Sequence, residues 1–379
     1  MTNLDEQQKF LNVKIGLDAV PLNRLNGGIG YYIFYLLDAL IPLHPGWTFF
    51  LYAFSTEGDI AYFKKYSNVV VRALPFGRIS HTLWSQTTLP YALRTDKIDV
   101  FWGTTQSIPL LRSKKIKNVL LLYDFVFHFF PQTVSSLKCI FLKKFTRAMI
   151  DKADLILSIS QATADKLFAL YAKRSDLILH PPLKSTIQFQ AEEPAKIFLS
   201  PMGLEYKQYL LTIGTLEPRK NFLGLIDSYL HLLKKHPQLF PLVIVGGGGW
   251  KNAVIVEKLK NVQAEYPDKI KLLGCVSDSA LSYLLSGARY YLCFSLYEGY
   301  GMPLAEARQC GTPIICFDQP EMREAAENDG IFLPLAHFEE KLEQTLLLDN
   351  PPFPSICQYI SNQKKARAFS HALLDLLQK

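Results

Sequence analysis

The chain has 379 residues, of which 49% are hydrophobic and 20% are charged, a composition typical of globular proteins that excludes a disordered chain. No apolar run approaches the ~18 residues that a membrane-spanning helix needs, and the polar N-terminus MTNLDEQQKF lacks a signal-peptide core, so we expect a cytoplasmic protein. The six cysteines form no Cys-x-x-Cys pair, which favours reduced thiols over disulfides or a zinc site.

The charge is unevenly distributed along the chain. Residues 1–190 contain 22 Lys and Arg against 13 Asp and Glu, whereas residues 191–379 contain 19 against 21. A basic first half favours contact with an anionic surface or substrate. A basic surface without any such role would have the same composition, and both interpretations stay open at this point.

The first half alternates short apolar strands with amphipathic helices. Strands are predicted at 13–20, 47–54, 68–74, 98–102, 119–126, 154–160 and 176–182, and helices at 31–40, 83–94, 137–153 and 161–171. This alternation predicts a parallel, doubly wound α/β sheet. Residues 183–208 lack periodicity and have linker composition, so we expect the first domain to cover 1–195.

A second alternation of strands and helices follows the linker. Strands are predicted at 209–215, 243–245, 269–278, 289–295 and 314–317, and helices at 222–236 and 278–288. We therefore expect a second Rossmann-like domain over 196–355. The final segment, 356–379, contains a basic amphipathic helix at 363–379.

The most informative stretch is SLYEGYGMPLAEARQCGTPIICFD, residues 295–318. Pro303 suits the first helical position and Gly311 the residue after the helix end. Glu298 and Glu306 bracket the helix N-terminus, whose unpaired N–H groups and dipole suit a phosphate. One carboxylate can accept ribose hydroxyls and the other the hydroxyls of a second sugar. The alternative is a capping carboxylate beside a solvated helix face.

Two further loops follow predicted strands. In the first half, PLNRLNGGIG joins a strand to a helix, and its backbone N–H groups can cradle phosphate. It lacks the G-x-G-x-x-G spacing of a dinucleotide site, which argues against an NAD-dependent dehydrogenase. In the second half, Arg219 and Lys220 follow the strand 209–215, where their adjacent cations can neutralise a diphosphate or simply be solvated.

These segments resemble a known family. EGYGMPLAEA, CGTPII, GTLEPRKN and the N-terminal GGIG are similar to motifs of retaining glycosyltransferases of the GT-B fold, family 4, also called group 1. The resemblance covers nearly the whole chain. It implies two Rossmann-like domains facing a central cleft, the first binding the acceptor and the second the nucleotide-sugar. It also implies a C-terminal helix that crosses back to the first domain.

The resemblance also implies roles for individual residues, in catalysis and in holding the donor. The implied catalytic residues are Glu298, Arg219, Lys220 and Asp124, and the implied donor-binding residues are Gly28, Gly214, Arg219, Lys220, Val276, Gly301, Met302, Pro303, Leu304 and Glu306. Glu298 would orient the donor sugar and Glu306 would hold the ribose. Backbone N–H groups from Gly301 to Leu304 would stabilise the leaving diphosphate.

One position departs from the family pattern. The family usually has a histidine before the aspartate that corresponds to Asp124, whereas this chain has Tyr123. Tyrosine is a poor general base at neutral pH, because its reference pKa is ~10. Either the histidine is dispensable, or Tyr123 replaces it sterically, or activity is altered, or Tyr123 is a packed core residue.

The sequence thus predicts transfer of a sugar, weakly favouring mannose from GDP-mannose, to an acceptor hydroxyl in bacterial surface polysaccharide or glycolipid synthesis. No Asp-x-Asp motif or His/Cys cluster predicts a metal, so no cofactor is expected besides the nucleotide-sugar substrate. The expected partners are this donor and a glycan or lipid-linked acceptor, without nucleic acid. The alternative is an inactive GT-B homologue that binds carbohydrate or nucleotide.

A membrane surface is a further expected partner. Residues 110–150 contain eight basic residues, one acidic residue and six phenylalanines, interleaved along the sequence. The basic residues are Arg112, Lys114, Lys115, Lys117, Lys138, Lys143, Lys144 and Arg147, and the acid is Asp124. The phenylalanines are Phe125, Phe127, Phe129, Phe130, Phe141 and Phe145. A basic amphipathic helix with aromatic residues can lie on the anionic inner face of a membrane. The alternative is that these phenylalanines belong to the core.

Overall fold

The computed structural model describes residues 12–25, 27–74, 80–111, 113–134, 136–249, 251–348 and 361–378. They form two compact units. The first is drawn from 1–128, 135–182 and 360–379, and the second from 129–134 and 183–359. Arg112, Trp250 and Cys357 lie outside the described residues.

The first unit contains a seven-stranded parallel sheet in the order β3-β2-β1-β4-β5-β6-β7. Its strands are β1 Lys14–Asp18, β2 Thr48–Ala53, β3 Val69–Ala73, β4 Val100–Gly103, β5 Lys117–Leu122, β6 Leu155–Ser158 and β7 Leu177–Ile178. The central strands are apolar and buried almost throughout, as expected for a sheet covered on both faces.

The second unit contains a six-stranded parallel sheet in the order β10-β9-β8-β11-β12-β13. Its strands are β8 Leu210–Ile213, β9 Leu242–Val245, β10 Ile270–Gly274, β11 Tyr290–Cys293, β12 Ile314–Phe317 and β13 Ile331–Leu333. Two parallel Rossmann-like sheets with intervening helices confirm the α/β fold class predicted from the sequence.

The α-helices alternate with the strands along both halves of the described chain. They are α1 Gly28–Leu40, α2 His81–Gln86, α3 Thr88–Thr95, α4 Val126–Phe129, α5 Ser136–Lys152, α6 Gln161–Tyr171, α7 Glu192–Leu199, α8 Phe222–Lys235, α9 Ala253–Glu265, α10 Asp278–Gly287, α11 Met302–Gln309, α12 Pro320–Ala325, α13 Phe338–Leu346 and α14 Asn362–Gln378. Helix α14 packs on α1 in the first unit, where Phe369 lies 4.8 Å from Trp102 between ring centroids.

Each sheet has one point at which the strand order reverses. In the first sheet it lies between β1 and β4, and in the second between β8 and β11. The loops that leave the carboxyl ends of two such strands diverge to opposite sides and leave a crevice, which is where open α/β sheets bind ligands. Ligand sites are therefore expected among the residues after Asp18 and Gly103 in the first sheet, and after Ile213 and Cys293 in the second.

The segment between the units differs from the sequence expectation. Residues 183–195 were expected in the first domain, but they pack on the second unit, where Lys184 Nζ lies 2.6 Å from Asp278 Oδ1. The segment predicted as linker also contains helix α7, which packs on α10. Its short apolar face, Ala195 and Leu199, spans too few turns to give a periodic signal in the sequence.

Two strand limits also differ from the prediction. The strand predicted at 119–126 ends at Leu122, and helix α4 starts at Val126. Asp124 causes this break, because its Oδ1 accepts a hydrogen bond of 3.0 Å from the Val126 N–H. Asp124 therefore lies in the loop after the strand and not in the strand itself.

Candidate functional site

The loops after β8 and β11 bring three predicted residues together at the reversal point of the second sheet. Glu298 accepts hydrogen bonds from Lys220 Nζ at 2.5 Å and from Arg219 Nη1 at 3.0 Å. Arg219 Nη1 also donates to the Tyr297 carbonyl at 2.7 Å, and its Nη2 to Glu217 Oε1 at 2.6 Å. Glu217 is thus the structural partner of a cation.

The charges of this cluster determine the protonation state of Glu298. The residue is 6% exposed, and burial alone raises the pKa of its carboxyl. Attraction to Lys220 and Arg219 outweighs burial and lowers the pKa of Glu298 to about 2. Glu298 is therefore an anion throughout the neutral range. Lys220 keeps two further N–H donors that make no hydrogen bond within the described part of the chain.

Close backbone approach to Gly214 explains the glycine that follows β9, Gly246. Gly214 follows β8 and Gly246 follows β9, and a Cβ atom on Gly246 would lie 1.8 Å from the Gly214 carbonyl oxygen. No side chain fits there, so the two loops meet backbone to backbone.

Helix α11 starts beside Glu298, with Gly301 as its N-cap at φ 93°. The leucine at 304 is buried, and Met302 and Pro303 are half-buried. Pro303 is the second helical residue, not the first as predicted. The Leu304 N–H already donates to the Gly301 carbonyl at 2.9 Å, and proline has no N–H. Of the four residues predicted to offer backbone donors, only Gly301 and Met302 therefore remain suited to a phosphate.

Glu306 lies on helix α11, and its pKa is shifted in the direction opposite to that of Glu298. It is 5% exposed, and no hydrogen bond to its carboxylate is formed by the described residues. Burial raises the pKa of Glu306 to about 7, with Lys184 opposing the shift and Asp278 adding to it. A buried carboxylate without a protein donor is suited to ligand hydroxyls, which can supply the missing hydrogen bonds.

Two groups near Glu306 carried no signal in the sequence. Lys184 is 8% exposed and pairs with Asp278, and it lies in the segment expected to be a linker. Asp278 begins α10, directly after Val276 and Ser277. Val276, expected near the nucleobase, is half-buried in this turn, and Ser277 caps α10 by accepting from the Ala280 N–H at 3.2 Å. The base-reading role of Val276 stays a prediction.

The buried Glu321 is another residue that sequence reasoning missed. It is 2% exposed on α12, and its Oε1 accepts a hydrogen bond of 3.4 Å from the backbone N–H of Glu298. This contact helps hold the loop that carries Glu298. Acidic residues at the start of a helix usually serve as caps, so nothing in the sequence marked Glu321.

Gly28 and Asp124, the other predicted site residues, lie in the first unit. Gly28 is the first residue of α1, and Asp124 caps α4. Tyr123 is 6% exposed, contacts Tyr32 edge to face at 5.6 Å, and has a buried hydroxyl with no hydrogen-bond partner among the described residues. Burial raises the pKa of Tyr123 well above its usual value, with Tyr32 and Asp18 adding to the shift. Tyr123 is thus a neutral core side chain.

The described residues contain neither a metal-ligand cluster nor a helix that could cross a membrane. No three His, Cys, Asp or Glu side chains in this part of the chain are grouped so that they could hold a metal ion. Likewise, none of its helices combines the length and apolarity that crossing a bilayer requires. The five described cysteines are unpaired.

Residues 202–350 match the family model described as glycosyl transferases group 1. The chain is also similar to O-antigen chain mannosyltransferase B of Escherichia coli, at 28% identity over 64% of this chain and 62% of that protein. It resembles O-antigen chain mannosyltransferase RfbU of Salmonella typhimurium at 24% identity, over 61% of this chain and 59% of the relative. The matched region thus spans less than two thirds of either relative.

Solved structures share the fold over nearly the whole chain. A structure of Anabaena HepE in complex with UDP-glucose superposes with a TM-score of 0.66 and 16% identity, covering 96% of both chains. A glycosyltransferase from Rickettsia africae gives a TM-score of 0.65 and 12% identity over 97% of this chain and 99% of that one. The predicted likeness to group 1 glycosyltransferases is confirmed, whereas the family 4 assignment stays a prediction.

The opposite settings of the two carboxylates predict opposite effects on stability. The folded-state pKa of Glu306, about 7, exceeds the ordinary value of 4.5, so the folded chain loses stability as pH rises from 4.5 through 7. Glu306→Gln removes this loss. Without ligand it should raise the free energy of unfolding at pH 8 by up to about 3 kcal/mol, with little change at pH 5, in denaturant titrations.

Glu298→Gln provides the contrast. The folded-state pKa of Glu298, about 2, is below 4.5, so its contribution is present above pH 4.5 and disappears as pH falls toward 2. The variant should therefore lose stability at pH 8, because the half-buried charges of Lys220 and Arg219 remain without their carboxylate. Equal pH profiles for Glu306→Gln and the unmodified chain would contradict the environment described for Glu306.

Proposed function

Because the second unit carries a group 1 glycosyltransferase domain, we propose that this protein is a retaining glycosyltransferase. It transfers mannose from GDP-mannose to an acceptor hydroxyl in the synthesis of a bacterial surface polysaccharide. The observation that carries the proposal is the cluster of Glu298, Arg219 and Lys220 at the reversal point of the second sheet. The named activity of the O-antigen mannosyltransferase relatives supports mannose as the sugar.

Cations at the end of β8 would hold the donor diphosphate. Lys220 has two N–H donors to offer while it stays bound to Glu298, and Arg219 lies beside it. Negative charge grows on the diphosphate as the bond to the sugar breaks, so these contacts strengthen in the transition state and speed the reaction. The N–H groups of Gly301 and Met302, at the positive end of α11, would add to this stabilisation.

The two glutamates would divide the rest of the donor between them. Glu298 is anionic and rigidly held, so it would accept hydroxyls of the transferred sugar. The Glu306 carboxylate has no protein donor among the described residues and would accept the ribose hydroxyls. Lys184 and Asp278 lie near Glu306, and Val276 would contact the base.

Retention would follow from reaction on one face of the sugar. The acceptor oxygen forms its bond to the anomeric carbon on the face from which the diphosphate leaves. The departing phosphate oxygen takes the proton of the acceptor hydroxyl. This route needs no protein base, which suits a chain in which the neutral, buried Tyr123 stands at the position of the usual histidine.

An inactive sugar- or nucleotide-binding homologue is the second candidate, favoured by Tyr123 alone. Turnover separates the two. Purified protein incubated with a panel of nucleotide-sugars should hydrolyse or transfer from GDP-mannose in preference to UDP-sugars. Absence of turnover with every donor, together with retained nucleotide binding, would favour the inactive homologue.

The phosphate clamp predicts a large loss from one substitution. Lys220→Ala should lower turnover of GDP-mannose by roughly 10²–10³, because it removes a charge-assisted contact that strengthens in the transition state. Lys234→Ala, an exposed lysine on α8, is the matched control and should retain full turnover. Full turnover by Lys220→Ala with unchanged GDP affinity would exclude the clamp.

The division between the glutamates predicts different binding of free GDP. Glu306→Gln should weaken GDP binding by about tenfold or more, as expected for lost hydrogen bonds to a charged group. Glu298→Gln should spare GDP binding and lower turnover. Calorimetry at pH 6 and pH 8 provides a second test. Glu306 ionises between these two pH values, so the unmodified chain should bind GDP more tightly at pH 8. Glu306→Gln should show no such tightening. Equal GDP losses in both variants would contradict the assignment.

We also propose that helix α5 docks on an anionic membrane, where a lipid-linked acceptor would lie. The phenylalanines support this only in part, because Phe125 and Phe127 are buried in the core, whereas Phe129 is 45% exposed. On helix α5 the exposed large apolar side chains are Leu137 and Ile140, at 83% and 63% exposure. They share a helix face with the exposed Lys144, and this mixture of cations and apolar groups fits an anionic lipid surface.

Liposome co-sedimentation tests the docking surface. Each basic residue near an anionic bilayer contributes ~1 kcal/mol, so Lys143→Glu with Lys144→Glu should weaken binding to anionic vesicles by more than about tenfold. Arg147 is a weaker choice, because it pairs with Asp151 at 2.8 Å. The charge-matched control is Lys234→Glu with Lys260→Glu, two exposed residues of the second unit. Equal recovery with neutral and anionic vesicles would refute the proposal.

A further inference from the structure

The segment before helix α7 is fixed to two helices of the second unit. The Gln188 N–H donates to Ser282 Oγ of α10 at 3.2 Å. The Ile187 carbonyl accepts from Gln309 Nε2 of α11 at 2.5 Å. Residues 183–190 therefore belong to the surroundings of α11, although they lie outside the region that matches the family model.

A buried ion pair lies at the start of this segment. Lys184 is buried, and its Nζ lies 2.6 Å from Asp278 Oδ1 at the first residue of α10. Thr186 Oγ1 donates to the other oxygen of the carboxylate, Oδ2, at 3.1 Å. Both oxygens of Asp278 are thus engaged, and the charge of Lys184 is compensated in the ligand-free fold.

This pair acts on the third charged group of the region, Glu306. Lys184 favours the anionic form of Glu306 and Asp278 disfavours it, so the two effects oppose each other. The Glu306 carboxylate itself accepts no hydrogen bond from the described residues. The ion pair is therefore the source of the nearby charges, while burial supplies the cost of ionising Glu306.

The other titratable groups around α11 are neutral or bound elsewhere. Burial keeps three side chains neutral by raising their pKa: Cys310 on α11, Tyr291 on β11 and Cys316 on β12. Lys207 Nζ donates to two carbonyls at the end of α10, at 2.7 and 3.0 Å. Glu321 on α12 accepts from the loop before α11. Lys184 and Asp278 thus remain as the pair that can tune Glu306.

A ligand changes the balance around Glu306. The charges of Lys184 and Asp278 cancel, so an ionised Glu306 adds a negative charge that the ligand-free fold does not compensate. Hydroxyl groups that donate to the carboxylate stabilise this anion. Binding of such a ligand should therefore favour loss of the proton from Glu306 to solvent.

We propose that Lys184 and Asp278 together set the charge of Glu306 and thereby couple donor binding to release of a proton. The contact between Glu306 and the donor ribose, on which this inference rests, belongs to the function proposed above. Lys184 and Asp278 act through Glu306 and are positioning residues. Their effects are opposite: Lys184 promotes the binding-competent anion, and Asp278 restrains it.

Titration of Glu306 in the ligand-free protein tests the electrostatic half of the proposal. Carbon-13 NMR of protein labelled at its glutamate side chains follows each carboxyl, and the Glu306 signal is the one that Glu306→Gln lacks. Asp278→Asn should lower the titration midpoint, because Lys184 is then uncompensated, and Lys184→Met should raise it, because Asp278 is then uncompensated. Lys184→Arg keeps the charge and should restore the unmodified midpoint.

GDP affinity tests the coupling to the donor. A pKa of about 7 for Glu306 predicts about tenfold tighter binding at pH 8 than at pH 6, relative to Glu306→Gln. Asp278→Asn should reduce this ratio to less than about threefold by tightening binding at pH 6. Lys184→Met should weaken binding at pH 8 by more than about threefold. In the Glu306→Gln background neither substitution should change GDP affinity.

An ion pair on the surface of the same unit provides matched controls. Lys258 and Asp227 lie 2.8 Å apart, and Lys258→Met and Asp227→Asn should leave both the Glu306 midpoint and GDP affinity unchanged. A merely structural role for Lys184 and Asp278 predicts that both substitutions weaken GDP binding alike at every pH. That result, or a midpoint that neither substitution moves, would overturn the inference.

The two readouts separate this inference from the proposed function. If the midpoint moves in opposite directions but the unmodified chain binds no GDP, control of Glu306 by the ion pair is supported and the proposed function is rejected. If GDP-mannose is turned over but the midpoint does not respond to either substitution, the proposed function survives and the inference is rejected.

Discussion

The ion pairs of Glu298 with Lys220 and Arg219 are the interaction on which the candidate site of the second unit depends. A buried carboxylate and two half-buried cations meet at the end of a parallel sheet, which is favourable only when each charge has a close partner. The pairing joins the loops after β8 and β11, the two strands between which the order reverses. The same contacts that hold the loops in place therefore also concentrate cations where a diphosphate would bind.

Two glutamates eight positions apart have opposite protonation behaviour because of their surroundings. Cations hold the pKa of Glu298 at about 2, while burial with little compensation raises the pKa of Glu306 to about 7. A ligand that donates hydroxyls to Glu306 would relieve a cost that the ligand-free fold carries. In the ligand-free fold the Glu306 carboxylate thus lacks hydrogen bonds that a bound ligand can supply. Such locally unfavourable residues are common at functional sites.

The two units use the same structural plan with different chemistry. Each places a buried carboxylate at the reversal point of its sheet, Glu298 in one and Asp18 in the other. Glu298 is paired with two cations, whereas Asp18 is paired with His81. Parallel sheets support both, because diverging loops leave a crevice whose chemistry depends only on the side chains that line it.

Local patterns in the sequence determined the alternation of strands and helices, the strand Ile314–Phe317, the positive φ of Gly311 and the spacing of the two glutamates. Periodicity and turn chemistry act over a few residues, so they can be read without a structure. Only the tertiary structure decided which charges surround each glutamate, and that Asp18 meets His81 63 positions away. It also ended β5 before Tyr123 and buried that side chain. These features depend on long-range contacts between elements, and no local pattern encodes them.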